Sequence, residues 1–214
     1  MPVIRSLPVA FQRINEGGTA TKYGSASVTQ IGTGDGSKTF AQRTLLRSQV
    51  IDVPDGHEVT SAILRVYASN ASGAGSKDIT AFGIADDDAS SWVPSEATWA
   101  SKDFGVAWGV AGGNPGATSD VTAGVELATG FIELDMTNLV ALALTKSPNQ
   151  INAVLKMAEI DDSKLLTLVS HNGADPEQQP RLTLVMNPIA VERRGGDQPF
   201  VPRVGGWMKG ASED

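Results

Sequence analysis

Apolar and polar residues alternate with a period of two along much of the chain. The clearest stretch is VTSAILRVYAS (59–69), in which every second residue from Ala62 to Ala68 is apolar. Successive side chains of a β-strand point to opposite faces, so this period predicts strands with one buried face. Equally clear stretches are GFIELDM (130–136), INAVLKMAE (151–159) and RLTLVM (181–186), and weaker ones are 9–14, 25–31, 39–50, 78–84 and 165–170.

Turn signals rich in glycine, asparagine and aspartate separate these stretches, as in GTGDGS (32–37) and AGGNPGA (111–117). The segment TNLVALALTK (137–146) is the good helix candidate, with Thr137 as its cap and Pro148 just beyond its end. Many short strands and one short helix predict an all-β protein, an antiparallel jelly-roll β-sandwich. We expect an N-terminal segment over 1–8, one sandwich domain over 9–186 and an extended C-terminal arm over 187–214.

The predicted arm differs from the domain because it contains glycines and prolines but no alternation. It nevertheless carries several apolar residues, which a purely disordered tail rarely does. This composition favours an arm that docks on its own domain or on a partner, with disorder as the alternative. The apolar residues that would bind a partner are Phe200, Val201, Val204, Trp207 and Met208.

Charge and composition exclude several classes of protein. The net charge of −7 opposes binding to nucleic-acid phosphates, and the absence of cysteine excludes disulfides, thiolate zinc sites and cysteine nucleophiles. No window of eighteen apolar residues predicts a membrane-spanning helix. The first residues, MPVIRSLP, lack the apolar region of a signal peptide. We therefore expect neither nucleic acid nor a membrane as a partner.

Two of the four tryptophans lie in the glycine-rich segment ATWASKDFGVAWGVAGG (97–113), which has neither helical nor strand periodicity. Three hypotheses compete for these rings. They could form a sugar-stacking platform, belong to a catalytic lid, or act as a hydrophobic plug that holds a long loop against the sandwich.

An ordered set of short motifs gives the chain a family resemblance. The set comprises Tyr23–Gly24, QRTLLRSQVIDVPDGHEVTSAILRVYA (42–68), Trp92, EATW (96–99), Trp108, Gly112–Gly113 and QPRLTL (179–184). In this order the motifs resemble the DNRLRE family of disaggregatase-related repeats over roughly residues 9–186. That family is similar to jelly-roll carbohydrate-binding modules, and one branch includes alginate-binding modules.

The resemblance implies a structural role for the tryptophan-rich segment. Trp99 and Trp108 would be buried plugs that fix the family's long loop over one edge of the sandwich, each burying on the order of 200 Å². Trp92 stays open between a plug and an exposed platform. Tyr67 and Trp92 are the outward-facing candidates for glycan binding.

Catalysis finds little support in the sequence, and we predict no catalytic residues. The motifs of zinc proteases, serine hydrolases and nucleotide-binding loops are absent. His57 and His171 have no metal-type spacing and are expected to be exposed loop residues. Paired carboxylates could in principle make a glycosidase. The candidates for such a pair are Asp86, Asp87, Asp88, Glu96, Glu133, Asp135, Asp161 and Asp162.

No cofactor is expected, with one exception that the resemblance leaves open. Jelly-roll modules often hold a structural calcium ion, which needs six to eight oxygen ligands. The acidic stretches at 86–88 and 160–163 could supply part of such a set, although neither has the spacing of an EF-hand.

Two functions of different kinds follow. The first is a non-enzymatic structural protein of a phage virion, a capsid decoration protein or head–tail appendage made in the host cytoplasm. Segment 1–8 or the arm would then bind a shell protein or sister copies, with a trimer as the expected oligomer. The alternative is a carbohydrate-binding module that adheres to a polysaccharide.

Overall fold

A computed structural model describes residues 1–33, 40–85, 92–104, 106–157 and 164–190. The described part contains twelve β-strands, one α-helix and a 3-10 turn at Glu16–Gly18. The helix, α1, is Thr137–Ala143. The strands are β1 (Val3–Asn15), β2 (Val28–Thr33), β3 (Ala41–Ser48), β4 (His57–Ser72), β5 (Ser76–Ile84), β6 (Ser101–Asp103), β7 (Val106–Ala107), β8 (Pro115–Glu126), β9 (Gly130–Asp135), β10 (Asn152–Met157), β11 (Leu165–Val169) and β12 (Arg181–Pro188).

The strands of the main sheet pair only in antiparallel fashion, and the pairing closes on itself. Starting from β4, successive partners are β12, β1, β3, β2 and β11, and β11 returns to β4. Strands β10, β5 and β8 continue from β3, and β9 lies on the other edge of β4. The predicted all-β, antiparallel sandwich with a short helix is confirmed.

The predicted alternation sets the main core. Leu64 and Val66 of β4 and Leu134 of β9 are each at most 1 % exposed, while Arg65 between the first two faces solvent. Burial of each such side chain contributes about 1.5–3 kcal/mol. Helix α1 covers one end of this core with Leu139 and Val140.

A second, smaller core lies on the opposite face of β1, β3 and β10. Leu46 of β3 belongs to the main core, whereas its neighbour Leu45 packs with Trp92 and Trp108. Strand β3 is therefore covered on both faces, which explains its run of buried residues. The tryptophan-rich segment supplies the outer cover of this second core.

Most of the N-terminal segment 1–8 forms the first part of β1. Residues Val3–Pro8 pair with β12, and Val9–Asn15 of the same strand pair with β3. Pro8 lies where the strand changes partner, on an edge that tolerates a residue without an N–H. The backbone of this segment is thus already engaged in the sheet. The predicted arm begins at Asn187, and β12 includes its first two residues. The rest of the arm beyond residue 190, with all five predicted partner-binding residues, lies outside the described residues.

The predicted cap of α1 also differs. Thr137 is already inside the helix, and its hydroxyl accepts from the Ala62 N–H and donates to Asp135. The first-turn N–H groups of Asn138 and Leu139 are instead bound by the carboxylate of Asp120 from β8. Asp135 accepts from the Thr137 N–H, so the helix start is satisfied partly by a near neighbour and partly by a distant strand that a local motif cannot reveal.

Candidate functional site

Trp92 is a buried side chain that joins the second core to β3 and β10. Its ring is 1 % exposed, and its Nε1–H donates to Asn152 Oδ1 at 2.9 Å. The Arg47 guanidinium lies 4.4 Å from the ring centroid and donates to the Trp92 carbonyl at 2.6 Å. Burial lowers the pKa of Arg47 from its usual value, and the ring face and carbonyl offset part of the desolvation of this cation.

This geometry corrects the glycan-platform interpretation of Trp92. A sugar ring can stack only on an aromatic face that solvent reaches, and both faces of a 1 % exposed indole are covered by protein. Trp92 therefore occupies the position of a plug.

The two tryptophans of the 97–113 segment differ in burial. Trp108 is 5 % exposed, and its Nε1–H donates to the Thr98 carbonyl at 2.9 Å. Trp99 is half-buried beneath Arg43, whose guanidinium lies 4.6 Å from the ring centroid and donates to Gly112 O. Both rings thus contact the loop and strand that they were predicted to hold together. Their contribution to stability stays a prediction.

Tyr67 lies on the outer face of β4, as predicted, beside Phe131 of β9. The two ring centroids are 5.0 Å apart with an interplanar angle of 73°. Arg65 places its guanidinium 3.6 Å from the Phe131 centroid. Because the rings are nearly perpendicular and Arg65 covers one of them, they do not form the coplanar surface that a sugar platform requires. A glycan-binding role of Tyr67 stays a prediction.

A polar cleft with two aromatic rings opens where β1 ends and β3 begins. Its volume is about 210 Å³, below the roughly 300–1,000 Å³ of drug-sized pockets. We call it the Gln42 cleft. It is lined by Arg13, Asn15, Gly17, Gly18, Tyr23, Phe40 and Gln42.

The 3-10 turn after β1 shapes the cleft. The Asn15 side chain accepts from the Gly17 N–H at 2.9 Å and so begins the turn. A Cβ atom at Gly17 would collide with the Phe40 ring, so the ring can lie against this turn only because the residue is glycine. The Phe40 side chain stays 41 % exposed beside the polar groups.

Gln42 of the cleft carries a buried hydrogen-bond acceptor without a partner in the described part of the chain. It is 5 % exposed, and its Oε1 has no hydrogen-bond partner among the described residues. A buried acceptor without a partner costs about 1–3 kcal/mol. Gln12 Oε1 and Asp103 Oδ1 share this condition, but neither residue lines the cleft. Gln42 thus holds a desolvated acceptor in a residue that lines the cleft.

Arg13 and Tyr23 form the opposite part of the lining. The Arg13 guanidinium lies 4.6 Å from the Tyr23 ring centroid, a cation–π contact that fixes both side chains. The cleft thereby combines a cation, an amide, a phenol and an exposed phenyl ring. This is a suitable set for a small ligand with many hydroxyl groups and an apolar face.

A larger cavity of about 320 Å³ lies between α1, β5 and β10. Its lining is mainly aliphatic, including Leu139, Leu142 and Ile151, and contains no aromatic ring among the described residues. Although Lys146, Ser147, Gln150 and Asn152 contribute polar groups, it offers no aromatic surface on which a sugar ring could stack. We therefore place the candidate site at the smaller cleft.

The candidate acids and histidines mostly have structural partners. Glu96 forms an ion pair with Lys22, Asp135 binds Thr137, and Glu133 is exposed on β9. His171 is half-buried rather than an exposed loop residue. Its Nδ1 accepts from the Phe11 N–H at 3.0 Å, which holds the ring against β1. Burial lowers the pKa of His171.

The predicted calcium stretches at 86–88 and 160–163, together with Asp161 and Asp162, fall outside the described residues. Within the described ranges, no cluster of three histidine, aspartate or glutamate side chains could hold a metal ion. In the same ranges, no helix has the length and apolar character needed to cross a membrane.

The hydrophobic pattern and the motifs of the sequence did not predict the Gln42 cleft. Tyr23 is part of a family motif only, and Arg13, Phe40 and Gln42 lie in weak strand candidates or beside them. The available signal was the Gly17–Gly18 pair directly after a strand, which marks a tight turn close to other groups.

Comparison with known families assigns the chain. No curated protein matches it significantly. The family model for carbohydrate-binding module family 96 matches residues 13–185, about four fifths of the chain, from Arg13 of the cleft almost to the end of β12. The resemblance to carbohydrate-binding modules is thus confirmed, whereas the DNRLRE assignment stays a prediction. The chain belongs to carbohydrate-binding module family 96.

Proposed function

We propose that this protein is a non-catalytic module that binds a polysaccharide and that the Gln42 cleft holds one of its sugar rings. The observation that carries the proposal is the buried, unpartnered Oε1 of Gln42 beside the exposed ring of Phe40. Membership of a family of carbohydrate-binding modules supports the function, and such modules bind rather than react.

The chemistry of the cleft suits a pyranose. The C–H face of the sugar would pack on Phe40, which keeps 41 % of its surface exposed. A sugar hydroxyl would donate to Gln42 Oε1 and remove the cost of the unmet acceptor. The amide of Asn15 and the guanidinium of Arg13 lie in the same lining and orient the remaining oxygens.

The test replaces Gln42 by a residue that lacks the Oε1 acceptor but fills a similar volume. Gln42→Met keeps an unbranched side chain of similar size, so we expect the free energy of unfolding to stay within about 1 kcal/mol. Affinity should fall at least tenfold, because the sugar hydroxyl would lose its buried acceptor. Binding is measured by titration calorimetry after a panel of neutral and acidic polysaccharides has identified one that binds.

Phe40→Ala is the second variant, and Phe131→Ala is the matched control because its ring is similarly exposed, at 46 %, on β9. We expect Phe40→Ala to weaken binding and Phe131→Ala to leave it unchanged. The proposal is wrong if no polysaccharide binds, or if both cleft variants bind as tightly as wild type.

The virion function receives no support from the family match, which favours the carbohydrate-binding alternative. Its mechanism relied on the arm from Asn187, most of which lies outside the described residues, and on segment 1–8, which pairs with β12. A capsid partner, a trimer, a structural calcium ion and a virion location stay predictions.

A further inference from the structure

We propose that Phe104 forms a second aromatic subsite, which binds another sugar unit of the same polysaccharide chain that enters the Gln42 cleft. The inference rests on the proposed function and extends it. It makes the protein a binder of extended glycan chains rather than of single sugars.

Phe104 is exposed in a way that folding does not explain. It is 76 % exposed, more than any other large apolar side chain of the described residues except Met1. It directly follows β6 in the short β6–β7 pair, and it belongs to neither core cluster. A phenyl ring with this exposure offers its face to a ligand that can pack against it.

The ring is exposed but its surroundings are fixed. Lys22 Nζ lies 5.4 Å from the Phe104 ring centroid, and the same ammonium group forms an ion pair with Glu96. The Ala100 N–H donates to Thr19 O at 3.2 Å, close to the base of the β6–β7 pair. These contacts tie the segment that carries Phe104 to the loop after the 3-10 turn.

That loop also forms one wall of the Gln42 cleft. Gly17, Gly18 and Tyr23 line the cleft, whereas Thr19 and Lys22 contact the β6–β7 region. Lys22 and Tyr23 are adjacent, so their Cα atoms are about 3.8 Å apart. The Phe104 ring is therefore linked, through a single half-exposed lysine side chain, to the residue that directly precedes Tyr23 of the cleft wall.

A polysaccharide that leaves the cleft over this wall would meet the lysine and then the phenyl ring. The ammonium group can donate hydrogen bonds to ring or hydroxyl oxygens, and the phenyl ring offers a surface for a second sugar face. Affinity should accordingly rise with the length of the oligosaccharide, a consequence that the Gln42 cleft alone does not predict.

The experiment compares ladders from monosaccharide to hexasaccharide, prepared from β-1,4-glucan, β-1,3-glucan, β-1,4-mannan and alginate. We expect Phe104→Ala to weaken binding of the longest bound member about tenfold and to change the shortest bound member less than twofold. Phe104→Tyr should bind the longest member as wild type does. Gln42→Met should weaken every member of the ladder.

Each result decides one of the two claims. If Gln42→Met weakens binding while Phe104→Ala changes no member, the second subsite is wrong and the cleft stands. If wild type binds no member of any ladder, or if both Gln42→Met and Phe40→Ala bind like wild type, the proposed function itself fails. If Phe104→Ala alters only the oligomeric state in light scattering, the ring is a contact between copies and the subsite is again wrong. The thermal midpoint of Phe104→Ala serves as the control for folding and should equal that of wild type.

Discussion

Replacement of Trp92 by alanine should destabilise the fold and not merely weaken a ligand contact. The ring is 1 % exposed and contributes to the second core beneath β3 and β10. Its removal would leave Asn152 without the Nε1–H donor at 2.9 Å and Arg47 without the ring face at 4.4 Å. Arg47 would keep its bonds to Asn152 Oδ1 and to the carbonyl of residue 92 but would border a cavity.

The magnitude follows from these contacts. Loss of a fully buried tryptophan costs about 3–5 kcal/mol of unfolding free energy. Because Trp92→Ala also removes the cation–π contact with Arg47, we expect its cost at the upper end of this range. For a chain of this length, each kcal/mol shifts the thermal midpoint by about 2–4 °C. The melting temperature should therefore fall by roughly 10–20 °C. Trp92→Phe keeps most of the buried area but loses the bond to Asn152, so its loss should be smaller, about 1–3 kcal/mol.

Urea denaturation and thermal melting measure the loss, and Phe131→Ala is the control because its ring is 46 % exposed. The control should shift stability by less than about 1 kcal/mol. A Trp92→Ala protein that melts with wild type and loses only its affinity for a polysaccharide would refute the burial argument. It would return the ring to the role of an exposed platform.

Two further predictions concern the polar contacts that join distant parts of the fold. Asp120→Ala should cost about 1–3 kcal/mol in urea unfolding, because the N–H groups of Asn138 and Leu139 would lose their only described side-chain acceptor, whereas Asp120→Asn should cost less. Burial lowers the pKa of His171, so the folded protein binds a proton there less readily than the unfolded chain. The contribution of His171 to folding stability is therefore complete above the ordinary histidine pKa of about 6.5. It declines as the pH falls below that value, because a protonated Nδ1 can no longer accept from the Phe11 N–H. Melting curves near pH 7 and near pH 5 should show the stability difference between wild type and His171→Gln shrink in acid, and an unchanged difference would contradict the assignment.

The hydrophobic pattern predicted the strands whose burial is one-sided. In β4, β9 and β12, apolar residues such as Leu64, Leu134 and Leu184 point into the core at every second position. Their outward neighbours include Arg65, Glu133 and Thr183, because one face of these strands meets water. The sequence of these strands therefore shows the period of two directly, and this period was sufficient to predict the all-β fold class.

Strand β8 was not predicted, because its burial pattern gives almost no alternation. The strand is PGATSDVTAGVE, β5 is its one partner among the described strands, and most of its residues are exposed or half-buried. Val121 is even 56 % exposed. An edge strand of this kind is held by backbone pairing and by Asp120, which also caps α1, and neither interaction imposes a hydrophobic period.

The tryptophans show how far a family resemblance extends. The motifs around Trp92 and Trp108 identified a loop that covers the sandwich, but the sequence of these motifs does not predict which indole is buried. That depends on Asn152 and Thr98, which accept the two Nε1–H groups, and on Arg47, which covers Trp92. These partners lie on other elements or across a turn, so the distinction between plug and platform required the folded chain.

The candidate site escapes sequence reasoning for a related reason. Asn15 and Gln42 face each other as register partners of β1 and β3, although 26 residues separate them in the chain. Each alone is an unremarkable polar residue near a strand end. Their antiparallel pairing, with the turn at Gly17 bringing the Phe40 ring alongside, makes them parts of one cleft. Residues at these two strand ends can be replaced, and the ligand changed, while the core stays intact, because the core residues lie further along the same strands.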